Sequence, residues 1–144
     1  MPRELVKIDI DKLKKYVKEK LNSFSEIAGV YLFGSSLEKM RPDSDIDLGI
    51  IKRPGVIKTE RELEIFLEKI ILSLNRFEGH SFDIVSVQDV NTILAFEILK
   101  KGMPIYIKDK ETVTDLIESV SRKYSEDYPR YKQALELIVG AKLP

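Results

Sequence analysis

The sequence predicts an α/β domain in which helices pack on a small β-sheet. Two observations predict it. Short apolar runs bounded by Gly, Pro, Asp or Ser alternate with longer stretches carrying apolar residues at helical spacing. At 144 residues with 43% hydrophobic side chains, one domain can bury a core without disulfides or a structural metal.

In chain order, Asp9 or Asp11 can cap a first helix carrying Ile10, Leu13, Tyr16, Val17, Leu21 and Phe24 at helical spacing. Lys12, Lys14, Lys15, Lys18 and Lys20 form its solvated side. Ala28 to Phe33 reads as a strand that stops at Gly34-Ser35, and Ser36 to Met40 as a short helix. Pro42-Asp43-Ser44 is turn chemistry. Asp45 to Ile51 reads as the second strand, broken by Arg53-Pro54-Gly55.

Thr59 opens a helix, and Glu62 completes a capping box. Its expected buried stripe is Leu63, Phe66, Leu67, Ile70, Ile71 and Leu74. Ser81 to Val87 alternates as a third strand, preceded by the lone histidine, His80, which is expected to be structural or exposed. Asp89 or Asn91 caps a helix through Leu99 that Gly102 ends as C′ glycines do. Pro104 to Ile107 is a fourth strand, placed at a sheet edge by its proline. Val113, Leu116, Ile117 and Val120 mark another helix, and Tyr128-Pro129 begins a last one through Tyr131, Leu135 and Ile138. The tyrosines at 124, 128 and 131 read as helix packing, on a face that could also bind a partner.

Charge and composition exclude several function classes. The 24 basic and 24 acidic side chains cancel, which argues against a general nucleic-acid binder but leaves room for a local basic patch. Without cysteine there are no zinc–thiolate sites, disulfides or thiol nucleophiles. No apolar run approaches the ~18 residues of a membrane helix. Met1-Pro2-Arg3-Glu4 does not start a signal peptide. The expectation is a cytoplasmic protein.

The chemistry gathers between Val30 and Ile51. In a strand, Asp45 and Asp47 share one face while Ile46, Leu48 and Ile50 share the other. Paired carboxylates repel unless a cation lies between them, and Mg²⁺ is held by one or two carboxylates together with substrate phosphates. Gly34 lets a phosphate approach the main chain, Ser35 adds a hydroxyl donor, and a helix starting there would favour an anion. Asp83, in the third strand, completes a three-carboxylate cluster if that strand lies beside the second. Two metal ions in such a cluster would suit in-line displacement at phosphorus, with Asp83 the candidate for activating an incoming hydroxyl.

Gly34-Ser35, then Asp45-Ile46-Asp47-Leu48, then a strand bearing Asp83, resembles the nucleotidyltransferase fold of polymerase-β-like enzymes. More narrowly, the chain resembles the small stand-alone MNT-domain nucleotidyltransferases, also in Glu97-Ile98-Leu99-Lys100-Lys101-Gly102, Ile105-Tyr106 and the terminal helices. The resemblance implies a small mixed sheet with helices packed on it. It also implies one nucleotidyltransferase domain over 1–144, with a core to 108 and C-terminal helices from 109. The implied activity is Mg²⁺-dependent transfer of AMP from ATP with release of pyrophosphate. By position, Gly34 and Ser35 would bind the triphosphate, Asp45 and Asp47 the metals, and Asp83 would be ligand or base. Relatives of this kind are often antitoxins that adenylylate a tyrosine of a HEPN-domain ribonuclease. After Gly-Ser the family commonly has a small residue, an arginine and a glycine. Here the chain reads Ser36-Leu37-Glu38-Lys39, so Lys39 or Arg41 is the candidate cation for the triphosphate. Two other readings stand beside this one: an antitoxin that works by occlusion with an idle catalytic face, and transfer to a small molecule.

Overall fold

The computed structural model describes residues 5–140, without the side chains of residues 135, 138 and 139. Met1 to Glu4, which do not read as the start of a signal peptide, lie outside the described residues, as do the side chains of Leu135 and Ile138.

A four-stranded mixed sheet has the order β5-β4-β2-β6, formed by Phe82–Ser86, Ile46–Lys52, Ile27–Phe33 and Met103–Ile107. β2 is antiparallel to both neighbours, and β4 is parallel to β5. Two short strands, β1 (Val6–Lys7) and β3 (Lys39–Met40), pair separately and antiparallel. The proline strand β6 is at an edge, because Pro104 has no N–H to offer on its outer side.

Both faces of the sheet are covered. Ile46, Leu48 and Ile50 join Val30 and Leu32 in a core roofed by α1 (Ile10–Leu21) and α2 (Glu60–Leu74). Tyr31, Ile51 and Val87 form the opposite core with α3 (Thr92–Lys101) and α4 (Lys110–Val139). Gly49 in β4 lets α3 settle, since a Cβ there would stand 2.9 Å from Val87 and 3.1 Å from Ile98. No described helix is long and apolar enough to cross a membrane.

Caps set the helix starts. Asp9 caps α1, Thr59 and Glu62 form the capping box of α2, and Asn91 caps α3. Asp89 is drawn instead to Lys52, 2.6 Å away, and to the Ser86 hydroxyl.

The structure corrects several expectations. The segment 36–40 is not a helix: a single 3₁₀ turn covers Gly34–Leu37, and burial of Met40 at 2% exposure pulls Lys39–Met40 into pairing with β1. α1 stops at Leu21, so Phe24 packs on the core from the following loop. Ile71 is 43% exposed, because it lies beyond the edge of the stripe formed by Phe66, Ile70 and Leu74. Val87 leaves the third strand to begin a 3₁₀ turn.

Gly102 has φ −72°, not the left-handed value of a C′ glycine. It is needed for space, since a Cβ would sit 2.2 Å from the Ile98 carbonyl oxygen and 2.9 Å from that of Leu32. The two expected C-terminal helices are one helix that runs through Pro129. Proline's fixed φ is helical, so continuation costs a hydrogen bond and some strain but forces no break.

Candidate active site

The candidate site is assembled at the end of the sheet where β2 finishes and β4 and β5 begin. β4 is central and buried on both faces, so its alternation is enforced: Ile46 and Leu48 enter the α1–α2 core and Asp47 points the other way. Parallel pairing puts Asp47 directly opposite Asp83. Asp45 immediately precedes β4, and Asp47 feels the charge of both other carboxylates. Asp45 and Asp83 are exposed and Asp47 is half-buried.

Antiparallel pairing on the other side sets Phe33 against Asp47, and so brings Gly34 to it. Gly34 has φ +72°, and a Cβ there would lie 2.5 Å from Asp47 Oδ2. Glycine therefore meets two demands: a left-handed backbone and an empty space beside a carboxylate. Ser36 closes the turn. It is 1% exposed, donates from its hydroxyl to the Phe33 carbonyl at 2.7 Å, and accepts from the Asp47 N–H at 3.4 Å. This serine occupies the stretch that departs from the usual pattern, and it ties the glycine turn to the carboxylate strand. A buried serine tie gives no sequence signal beyond the residue itself.

Charge is concentrated here without compensation. Burial, then Asp83, then Asp45, push the Asp47 carboxyl up to about 6. Among the described residues no ion pair reaches any of the three carboxylates. They do not form a complete cage either, since no described group of three or more His, Cys, Asp or Glu is arranged to hold a metal by itself. Unpaired carboxylate oxygens on one surface suit a hard cation whose remaining ligands come from substrate.

Beside Gly34 opens a cavity of about 670 Å³ lined by Phe33, Leu37, Glu38, Leu94, Glu97 and Lys101, among others. A second cavity of about 660 Å³ shares Leu94 and Glu97 and continues to Lys123, Asp127 and Tyr131 on α4. Of the residues singled out from sequence for the triphosphate, Gly34 lines the first cavity, and exposed Ser35 follows it in the same turn. Lys39 and Arg41 are not among the lining residues. Lys39 faces Lys7 in the β1–β3 pair, and Arg41 lies 3.6 Å from Asp43. The cation in the cavity is Lys101, held 2.9 Å from Glu97 one helical turn back. The Glu-to-Lys spacing of four at Glu97 and Lys101 is visible in the sequence, but nothing local to it says that the pair faces the cleft.

The family described as "Polymerase beta, Nucleotidyltransferase" matches residues 12–111. No curated protein matches the chain. Among solved structures, a mutant of the toxin–antitoxin MntA-HpeT superposes with TM-score 0.61 at 16% identity, covering 93% of this chain and 100% of that one. A toxin–antitoxin crystallised with AMP-PNP superposes with TM-score 0.60 at 16% identity, with the same coverage of both chains. A tri-AMPylated Shewanella oneidensis HEPN toxin in complex with MNT antitoxin gives TM-score 0.57 at 17% identity, covering 92% of this chain and 96% of that one.

Proposed function

The chain belongs to the polymerase β nucleotidyltransferase family, and from that premise we propose that it is an MNT-type antitoxin transferring AMP from ATP to a tyrosine hydroxyl of a HEPN-domain partner. One observation carries the catalytic reading: Asp47 and Asp83 are register partners on parallel strands, with Asp45 adjoining and Gly34 pressed against Asp47. The partner reading is supported by toxin–antitoxin structures with the same fold, one of them with AMP-PNP and one with an AMPylated toxin.

In this reading, residues 1–144 act as one domain, with a core to 108 and a C-terminal helical part that α4 packs onto α3 and β2. Gly34 and Ser35 receive the triphosphate at the turn, and Lys101 offers the nearby positive charge. Lys39 and Arg41 are exposed, outside the cavity lining, and would serve the triphosphate only where its phosphates extend beyond the cavity. Asp45, Asp47 and Asp83 would hold Mg²⁺, one ion or two, which when bound neutralises charge on the reacting phosphate.

The acceptor oxygen bonds to the α-phosphorus as the bond to the α–β bridging oxygen breaks. Pyrophosphate leaves, and Asp83 takes the hydroxyl proton, since it is exposed where an acceptor can reach it. A face for the partner is supported by α4, where Tyr128 and Tyr131 are 38% and 48% exposed.

The test uses labelled ATP, Mg²⁺ and the product of the neighbouring gene. Wild type should label that protein, and an Asp45→Ala/Asp47→Ala variant should lose the labelling. A folded double variant that labels at the wild-type rate would overturn the catalytic reading. Unlabelled partner held in a stable complex would mean neutralisation by occlusion.

A further inference from the structure

We propose that His80 is a positioning residue that holds the Ser44–Asp45 backbone, and so sets Asp45 on the carboxylate surface; this rests on reading Asp45 as a ligand. His80 is 6% exposed and precedes the strand that carries Asp83. Its Nδ1 lies 2.8 Å from the Ser44 carbonyl oxygen. A carbonyl only accepts, so Nδ1 carries the hydrogen and donates. One residue further on, the Ile46 N–H donates to the Ser81 carbonyl at 2.9 Å. The side chain of residue 80 and the main chain of residue 81 therefore grip both sides of Asp45.

The support of His80 is itself over-determined. Phe77 and His80 exchange backbone hydrogen bonds of 2.9 Å each way. Between them Glu78 and Gly79 have φ +50° and +83°, the two consecutive positive values of a type I′ turn. Asn75, at the end of α2, is also left of the usual region at φ +54°. Non-glycine residues held there cost energy and persist only where surroundings fix them. Those surroundings are visible: the Tyr16 hydroxyl donates to the carbonyls of Leu74 and Arg76, and its ring packs at 5.2 Å from Phe77 and 6.3 Å from Phe82. A strained connection, braced from α1, presents one imidazole to the loop that ends at Asp45.

The discriminating variants are His80→Leu, which has no donor, and His80→Asn, whose amide nitrogen stands where Nδ1 does. Two readouts are taken on the full-length protein: amide hydrogen exchange at residues 44–47 without metal, and calorimetric titration with Mn²⁺ alone. His80→Leu should speed exchange at residues 45–47 by at least about tenfold, leave residues 50–52 unchanged, and weaken Mn²⁺ binding by about tenfold. His80→Asn should stay within about twofold of wild type in both. If His80→Leu does not fold, His80→Gln, whose amide reaches past the Nδ1 position, takes its place with the same expectation. Unchanged exchange in the donor-free variant, or an equal loss in His80→Asn, overturns the inference. If wild type takes up no Mn²⁺, the ligand reading of Asp45 fails, and the exchange pattern still decides whether His80 holds the loop.

Discussion

Asp47 and Gly34 show how tightly single residues are constrained at this site. Asp47 is pushed up to about 6 from an ordinary value of 3.8, by burial first and then by Asp83 and Asp45. Between those pH values the folded chain keeps a proton that the unfolded chain has lost. Asp47 therefore favours folding at low pH, and that contribution disappears as pH rises through about 6. Replacing it with a neutral isostere, Asp47→Asn, should stabilise the metal-free protein at pH 7.5 by an amount on the order of 1 kcal/mol once screening is allowed for, seen as a higher Tm, and leave it unchanged at pH 4. Thermal melts at the two pH values check this. Gly34→Ala meets both a left-handed φ and Asp47 Oδ2 at 2.5 Å. It should cost about 1–3 kcal/mol in chemical denaturation and abolish nucleotide binding.

At the scale of elements, local chemistry was the most legible. The capping box at Thr59–Glu62, the Pro104 edge strand and the alternation at Ile46–Ile50 are each fixed by a rule that acts within a few residues. The errors lay where distant contacts decide. Nothing within 36–40 announces that Met40 will be buried against a strand 30 or more positions earlier in the chain. Nothing at Gly102 distinguishes a glycine chosen for its φ from one chosen for lack of a Cβ. The carboxylate spacing was readable, but the cleft walls, with Glu97 and Lys101 on α3, depend on how that helix lies over Gly49.

Tyr124 of α4 stacks at 3.8 Å on Phe96 of α3 and lies 5.2 Å from Tyr128 one turn along its own helix, beside the apolar cluster that includes Ile98, Val113 and Val120. Tyr124→Ala should lose stability in a denaturant titration, through the loss of two ring contacts. Tyr124→Phe should keep most of it.

For the whole molecule, the site draws on residues 34, 45–47 and 83, which only the finished sheet brings together. A cation that binds there can bind only the native protein. Mg²⁺ at one hundred times its dissociation constant should then stabilise wild type by about 2.7 kcal/mol. The Asp45→Ala/Asp47→Ala variant should show no such gain, and melts with and without Mg²⁺ measure the difference.

The double burial of β4 has a consequence for quality control. A slip of one position along its neighbours would thrust Asp47 among the aliphatic side chains under α1 and α2, and turn Leu48 toward the cleft. Such a slip would bury a carboxylate without a partner, so its product should not persist as a compact form. A preparation should therefore contain no well-folded fraction with β4 displaced by one position, which amide exchange along β4 checks.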